Sequence, residues 1–571
     1  MNKNQTPPTW VLWMAAALMA VVYAWGLNNQ YLPSNGDEMV YAHIARLTAD
    51  TQQWLPLQTE MPDMRNTKPP VLFWQGMVAS GWGQWEQLWV LRVPSLIYLA
   101  LVCWGMAALL QRWTGEWRGG AWAVLAFLAC WGTFRYGRPY LTTAPEMFWY
   151  SVGLLYVLWQ AARPETAGVH NSWREWVWWS VLGLALGVGL LYKSFALVAP
   201  VGVGLWAVRW VLLREWTWKS LLVISLQLAW MGLLALALMA SWLLIDPHPE
   251  HVWQDFVVGE NVSKMNAAEG YWRQFFSLQG VLAYATAYLQ NAGLMIPWVL
   301  ALLGVAWRHR RMAQTDVRGN LSLALLVWLL VWWFVFLVPS QRSGRYLLPA
   351  MPALGMLLAL HIHDVGRWPL RLVAGLSVLM LLVLAWLGWH AQGLGLLPTV
   401  WAAVLVAAVL AGLALLVYMV WRSEPQPLSA LLTVLLAFAG LNAVLEGLSG
   451  PAVSFHGAST DRPVYTTVWV PEGFNGEYER FQFLLPKGNL VVPLQEKVDA
   501  LTEGRDTTPG SWFIVARLQD APPLPCEAST CERVAVRCDL ELRLKPGQVH
   551  SGNIARPEEW LWRQEWLMRV R

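Results

Sequence analysis

The chain has 571 residues, of which 56% are hydrophobic and only 13% charged, and its mean hydropathy is +0.38. Soluble domains carry nearer a quarter charged residues, so most of this chain is built for lipid rather than water. A net charge of +4, scattered through short loops, excludes a nucleic-acid-binding surface as the main function.

A helix that crosses the hydrocarbon layer needs about 20 predominantly apolar residues. In chain order such stretches fall near 10–27, 88–110, 119–134, 146–162, 176–192, 195–212, 221–245, 281–306, 321–339, 346–362, 370–388, 399–421 and 428–449, thirteen in all. Many of the 42 tryptophans stand at the ends of these stretches, among them Trp10, Trp89, Trp113 and Trp176. Amphipathic rings anchor at that level of a membrane. No small-residue cleavage site follows 10–27, so this stretch reads as a retained first span.

Basic residues gather in alternate loops: Arg112/Arg118, Arg163/Arg174, Arg209/Arg214/Lys219, Arg308/Arg310/Arg311/Arg318, Arg367/Arg371 and Arg422. Together with Lys3 this predicts that these loops and the N-terminus are cytoplasmic. Segment 28–87, loop 135–145, the turn at Lys193, loop 246–280, segment 340–345 and the tail from 450 then face outwards. Within 28–87, the stretch Asp37–Ala49 sets Val40, Ile44 and Leu47 on one face, which predicts a short helix lying in the membrane interface. Loop 246–280 mixes aromatic and charged residues from His251 to Phe276.

Residues 1–449 thus form a membrane domain and 450–571 a small soluble α/β domain. In the latter Phe481–Leu485, Leu490–Pro493, Trp512–Ala516 and Arg533–Val536 read as strands, and Glu496–Leu501 as helix. Cys103 and Cys130 lie in apolar stretches as packing residues. Cys526, Cys531 and Cys538 permit one disulfide with one thiol left over, as an oxidising compartment allows.

Three polar motifs fall on the outward side: Asn35-Gly36-Asp37-Glu38, Asn66-Thr67-Lys68-Pro69-Pro70, and Gln341-Arg342-Ser343-Gly344-Arg345-Tyr346-Leu347-Leu348-Pro349. Each alone has a plain explanation. Acids favour the first turn of a helix, and Lys or Arg at a span end snorkels to the interface. Asp-Glu after the first span and Lys-Pro-Pro about 30 residues later together resemble the aminoarabinose transferase and protein O-mannosyltransferase superfamily. These are membrane glycosyltransferases that use polyprenyl-phosphate sugars. The resemblance continues at Leu186-Gly187-Val188-Gly189-Leu190-Leu191-Tyr192-Lys193-Ser194, similar to the family's Gly-rich span ending in Lys-Gly. It continues again at Arg345–Pro349 followed by Pro352-Ala353-Leu354, and so covers most of residues 10–360 in order. Two positions depart from the pattern: Thr143 stands where the family carries Asp, with Glu146 one turn on, and Ser194 replaces Gly.

The resemblance implies a polytopic α-helical membrane protein of about thirteen transmembrane helices with a C-type glycosyltransferase fold and a periplasmic α/β tail. It implies transfer, with inversion, of a sugar from undecaprenyl phosphate to a lipid-linked or envelope acceptor such as lipid A. Phosphate is a good leaving group, so fixed positive charge at the departing oxygen is what helps. Lys68, Lys193, Arg342, Arg345 and Arg138 are the candidates for that role. Asp37, and after it Glu38, is the candidate for taking a proton from a hydroxyl acceptor or for orienting a phosphate acceptor. Glu146 and Glu260 are candidates for orienting acceptor or sugar. The cofactor is unknown. A divalent metal at His248, His251 and Glu250 fits by residue type, and the flanking prolines fit an ordinary polar loop as well. Expected partners are the polyprenyl-linked sugar, an envelope acceptor and membrane lipids. The competing classes are a transporter or lipid flippase, which would place charge at mid-membrane and show repeats, and a polysaccharide polymerase or ligase.

Overall fold

The computed structural model describes residues 7–29, 37–59, 66, 68–83, 87–162, 172–213, 217–262, 284–309, 317–338, 342–448, 467–472, 480–485, 490–518, 522–528, 530–540, 549 and 552–571. Asn35, Gly36, Thr67, Gln341 and 263–283 lie outside these residues. Each of the thirteen apolar stretches coincides with helix. Eight described helices are long and apolar enough to cross a membrane: Trp89–Thr114, Phe195–Leu212, Trp218–Ile245, Ala287–Val305, Arg318–Val335, Arg367–Gly393, Thr399–Trp421 and Pro427–Gly447. Thr9–Ala24 and Gly344–Leu360 are apolar but shorter. The chain is a polytopic helical membrane protein.

Lipid tails are as apolar as leucine, so close backbone approach, rather than escape from water, holds such helices together. Gly183 and Gly187 show this on the helix Trp173–Leu190. A Cβ on Gly183 would stand 2.8 Å from the Met231 carbonyl oxygen, and one on Gly187 would stand 2.9 Å from Leu238. Both belong to the partner helix Trp218–Ile245. Gly189 faces the other way, where a Cβ would meet the Tyr150 ring at 2.7 Å. The Gly-rich stretch is therefore a packing device that delivers Lys193 to its place.

The helix Asp37–Asp50 forms as expected, but it does not present one apolar face to a membrane. Residues 38–45, 48 and 49 are all buried, whereas Leu47 is half-buried. Leu72, Phe73, Met77, Leu91, Tyr140 and Tyr192 pack with it into one cluster. The helix is enclosed by protein on nearly every side, because the segment Val71–Ala79 and the start of Trp89–Thr114 close over it.

The tail contains a five-stranded mixed sheet of β1 (Thr467–Val470), β2 (Leu490–Pro493), β3 (Trp512–Leu518), β4 (Cys531–Leu540) and β5 (Trp562–Val570), in the order β2-β1-β3-β5-β4. β1 runs parallel to β2 and β3, while β5 is antiparallel to β3 and β4. The helix Gln495–Thr502 covers the sheet through Val498 and Leu501. Phe481–Leu484 is a short helix rather than the expected strand. Phe481, Leu484 and Leu485 are spaced at helical intervals and all enter the core. Cys526 and Cys531 are joined in a disulfide; the side chain of Cys538 lies outside the described residues.

Candidate active site

Asp37 and Glu38 open the same helix but point to different surroundings. Glu38 is buried, 1% exposed. Its two oxygens accept from Nε and Nη2 of Arg92, each at 2.7 Å, and Oε1 also accepts from the Tyr140 N–H at 2.7 Å. Arg92 completes its contacts by donating to the Leu27 and Asn29 carbonyls at 2.6 Å. A forked, charge-assisted pair of this kind fixes both partners. It ties the chain leaving the first span to the start of the helix Trp89–Thr114. Asp37, about a quarter exposed, instead lies 3.1 Å from Nη1 of Arg345. The Ser343 hydroxyl accepts from the Arg345 N–H and caps the 3-10 turn Gly344–Ala350 that carries this arginine. The Arg345 guanidinium sits over the Tyr136 ring, 5.1 Å from its centre.

Two further acid–base pairs have the same character. Lys68 reaches Glu260 at 2.7 Å, and two residues earlier Asn66 donates to Asp255 at 3.0 Å. Both acids sit in the wide π-type turn Trp253–Val262, so this turn and the segment around 66–68 clamp each other at two points. Lys193 lies 3.2 Å from both Glu146 and the Thr142 hydroxyl. Beside it Ser194 donates to Asn261 of the same turn at 2.5 Å.

These three pairs share one neighbourhood, and Tyr41 marks it. Burial pushes the Tyr41 hydroxyl well above its ordinary 10. Asp37 adds to the rise, Arg345 opposes it, and Glu260 and Glu146 add again. Carboxylates from three different pairs therefore act on a single phenol. Six segments of the chain contribute to these pairs: 37–41, 66–68, 142–146, 193–194, 255–261 and 345.

Arg138 and Arg342 lie outside this group. Arg138 is 1% exposed and faces the first span, donating to the Tyr23 carbonyl at 2.9 Å, to Asn442 at 3.1 Å and to the Trp25 carbonyl, with its guanidinium over Phe134. Its work is to join helix ends. Arg342 donates to the Leu337 carbonyl at 3.1 Å, and its charge acts on Tyr284. The weak metal candidates do not converge. His248 stands 3.9 Å from Glu250 at the surface, and among the described residues no group of three or more His, Cys, Asp or Glu is arranged to hold an ion.

Sequence reasoning passed over Arg92, Tyr41 and Asp255. For Arg92 a signal existed: an arginine inside an apolar stretch is costly without a partner, and it implies one. A second omission is the chain in which Tyr192 donates to Gln75 at 2.7 Å while sharing a 2.9 Å hydrogen bond with Tyr98. It braces the residue directly before Lys193.

The fold is similar to that of a solved bacterial membrane protein, ArnT. ArnT from Cupriavidus metallidurans bound to undecaprenyl phosphate superposes with a TM-score of 0.64, at 18% identity, over 93% of this chain and 97% of that one. Its apo form gives 0.59, at 17% identity, over 88% and 92%. In sequence the chain is 26% identical over 338 residues to the undecaprenyl phosphate-alpha-4-amino-4-deoxy-L-arabinose arabinosyl transferase of Erwinia tasmaniensis, covering 57% of this chain and 54% of the relative. It is 27% identical over 353 residues to a second such transferase from Sodalis glossinidius, covering 60% and 58%. The chain thus spans somewhat over half the length of the curated relatives it matches. No family model matches the sequence. The resemblance read from the sequence agrees with the names of these relatives and with the fold.

Proposed function

We propose that the chain transfers a sugar from a polyprenyl phosphate donor, undecaprenyl phosphate in the nearest chemistry, to a lipid-linked or envelope acceptor such as lipid A. The observation that carries this reading is the meeting of Asp37–Arg345, Lys68–Glu260 and Lys193–Glu146 around Tyr41. A site that holds three cations, each steadied by an acid, suits a reaction whose transition state loads negative charge on a departing phosphate. Names of the relatives and the undecaprenyl phosphate bound to the Cupriavidus ArnT support the donor class.

In this mechanism the donor phosphate takes Lys68, Lys193 and Arg345 as partners. Arg345 grips it with its fork and the lysines act as point charges. Asp37 faces the acceptor, takes the proton from a hydroxyl nucleophile and orients a phosphate nucleophile. The acceptor oxygen attacks the anomeric carbon while the carbon–oxygen bond to phosphate breaks, inverting that centre and releasing polyprenyl phosphate. Glu146 and Glu260 place the cations and the sugar. Glu38 and Arg138 hold the segments that carry the site, and Arg342 stands at its edge. The protein resides in a bacterial inner membrane with its N-terminus in the cytoplasm, and the site and the C-terminal domain in the periplasm.

The test uses purified protein in lipid, a panel of undecaprenyl-phosphate sugars and a membrane extract as acceptor. Release of undecaprenyl phosphate by wild type, lost in folded Asp37→Asn and Lys68→Ala, is the expected result. No turnover together with no binding of undecaprenyl phosphate overturns the proposal.

A further inference from the structure

At the far end of the helix Trp89–Thr114 from Arg92 lies a second polar cavity. The separation is roughly 30 Å at about 1.5 Å per helical residue. This cavity, of about 380 Å³, is bordered by Trp113, Arg118, Trp122, Arg318 and His363, with Leu321 and Ile362 among its apolar walls. It lies where four helix ends meet: the end of Trp89–Thr114, the start of Trp117–Leu128, the start of Val317–Val335 and the end of Met351–Leu360.

Three observations bear on what it holds. First, its depth in the membrane is marked by tryptophans exposed at the same level. Trp117 is 47% exposed and Trp159 39% exposed, and Arg112 both donates to the Trp159 carbonyl and covers its ring at 4.4 Å. Trp368 and Trp421, also exposed, are joined there by Arg371, which covers the Trp368 ring and donates to the Val420 and Arg422 carbonyls. A belt of exposed indoles sits at the headgroup layer.

Second, cations outnumber acids in its lining, with Arg118 and Arg318 against Glu116. His363 is held below its ordinary 6.5 first by burial and then by Arg318, with Arg118 adding to the effect against the opposing charge of Asp364. Arg318 is fixed rather than swinging. It pairs with Asp364, whose carboxylate lies 2.8 Å from Nδ1 of His361, and Nε2 of His361 lies 2.9 Å from the Ser322 hydroxyl.

Third, Trp122 is 2% exposed, borders the cavity, and its indole N–H meets no hydrogen-bond acceptor among the described residues. The Nε–H of Arg318 is likewise buried without an acceptor. Buried donors without acceptors are costly, and an oxygen-rich ligand removes that cost.

We propose that this cavity binds the phosphate of an anionic phospholipid headgroup, at the membrane face opposite the candidate active site. Arg118 and Arg318 supply charge, the Trp122 N–H supplies a hydrogen bond, and the acyl chains leave along the apolar helix sides. The proposal is independent of the glycosyltransfer reading, because it uses none of the residues assigned to that site.

The experiment takes full-length protein in discs of phosphatidylcholine with or without phosphatidylglycerol. Thermal stability is followed together with the lipids retained in native mass spectrometry. Wild type is expected to retain phosphatidylglycerol over phosphatidylcholine and to gain stability from it. Arg118→Gln weakens that retention about fivefold, the loss expected for one arginine at a membrane surface. Trp122→Phe, which keeps the apolar ring and removes the N–H, weakens it in the same direction and keeps the test alive if the arginine variant misfolds. Arg422→Gln, at the same level but outside the cavity, changes nothing. Equal retention of the two lipids by wild type overturns the proposal, as does undiminished phosphatidylglycerol retention in both cavity variants. Inorganic phosphate that stabilises the protein as well as phosphatidylglycerol does would assign the cavity to a soluble anion and overturn the lipid as its occupant.

Discussion

Two adjacent acids with opposite environments offer a direct separation of scaffold from chemistry. Glu38→Ala takes the carboxylate away from the buried Arg92 guanidinium, and it strips the Tyr140 N–H of its acceptor. Removing one partner of a fully buried pair costs about 3–5 kcal/mol. Asp37 and Arg345 are each more than a quarter exposed. Asp37→Asn keeps the shape and breaks a solvent-screened pair, which costs under about 1 kcal/mol. Thermal scanning in a single detergent, with undecaprenyl phosphate release measured on the surviving folded fraction, reads both effects. Glu38→Ala is expected to unfold well below wild type while its folded fraction keeps turning over. Asp37→Asn is expected to melt near wild type and release nothing. A Glu38→Ala protein that melts like wild type yet has lost all release refutes the assignment, because Glu38 would then belong to the chemistry.

The other predictions concern separate parts of the molecule. Lys68→Ala should lower the rate of undecaprenyl phosphate release by about 10²–10³ at saturating donor, the loss seen when one preorganised charge-stabilising donor is removed; a change in KM alone contradicts that role. Glu260→Gln removes the carboxylate that lies 2.7 Å from Lys68 and should tighten undecaprenyl phosphate binding while slowing its release; calorimetry against turnover distinguishes the two. Gly183→Ala drives a methyl to 2.8 Å from the Met231 carbonyl and should destabilise the protein by about 1–3 kcal/mol, read as a lower melting temperature. In the tail, the Lys497 ammonium with Thr508 holds the Asp506 carboxyl below its ordinary 3.8, at about 2. A depressed carboxylate stabilises the fold above its unfolded value and loses that contribution as pH falls from 3.8 towards 2. The Asp506→Asn protein should therefore show a flatter acid limb in melting temperature over that window, by a small amount because water screens the pair.

What the sequence made legible follows from which signals survive without neighbours. An apolar stretch of about 20 residues has few destinations other than a membrane, and all thirteen such stretches lie on helix. Asp37, Lys68, Lys193 and Arg345 were singled out through motif order; the fold pairs Asp37 with Arg345 and gives each lysine its own acid. Their immediate neighbour Glu38 was not separable from Asp37, because the helix dipole and the spacing treat the two acids alike. Only the arrival of Arg92, 54 residues on, tells them apart. Arg138 misled for the same reason: its loop is on the right side, but its guanidinium turns inwards to Tyr23 and Asn442. In the tail, β5 was hidden by its charges. Glu565 sits in the middle of that strand and is buried, paired with Arg480 and lying 3.3 Å from Arg537. A central strand with a buried acid does not alternate as an amphipathic edge does.

The pairing of every site cation with an acid follows from the place these cations occupy. A lysine or arginine held in a partly buried outward cleft without a counter-charge would be driven towards deprotonation or away from the site. Glu260, Glu146 and Asp37 hold Lys68, Lys193 and Arg345 in position. A bound phosphate then exchanges with carboxylates rather than with water, so the net cost of desolvating the cations is already met in the resting protein. The same exchange limits affinity, because each carboxylate competes for the cation that the phosphate needs. In the proposed reaction such a site favours turnover over tight binding, because the acids reclaim their partners when the sugar leaves. The clamp between 66–68 and 255–261 links Lys68 to the π-type turn, whose Glu260 is the acid that holds it.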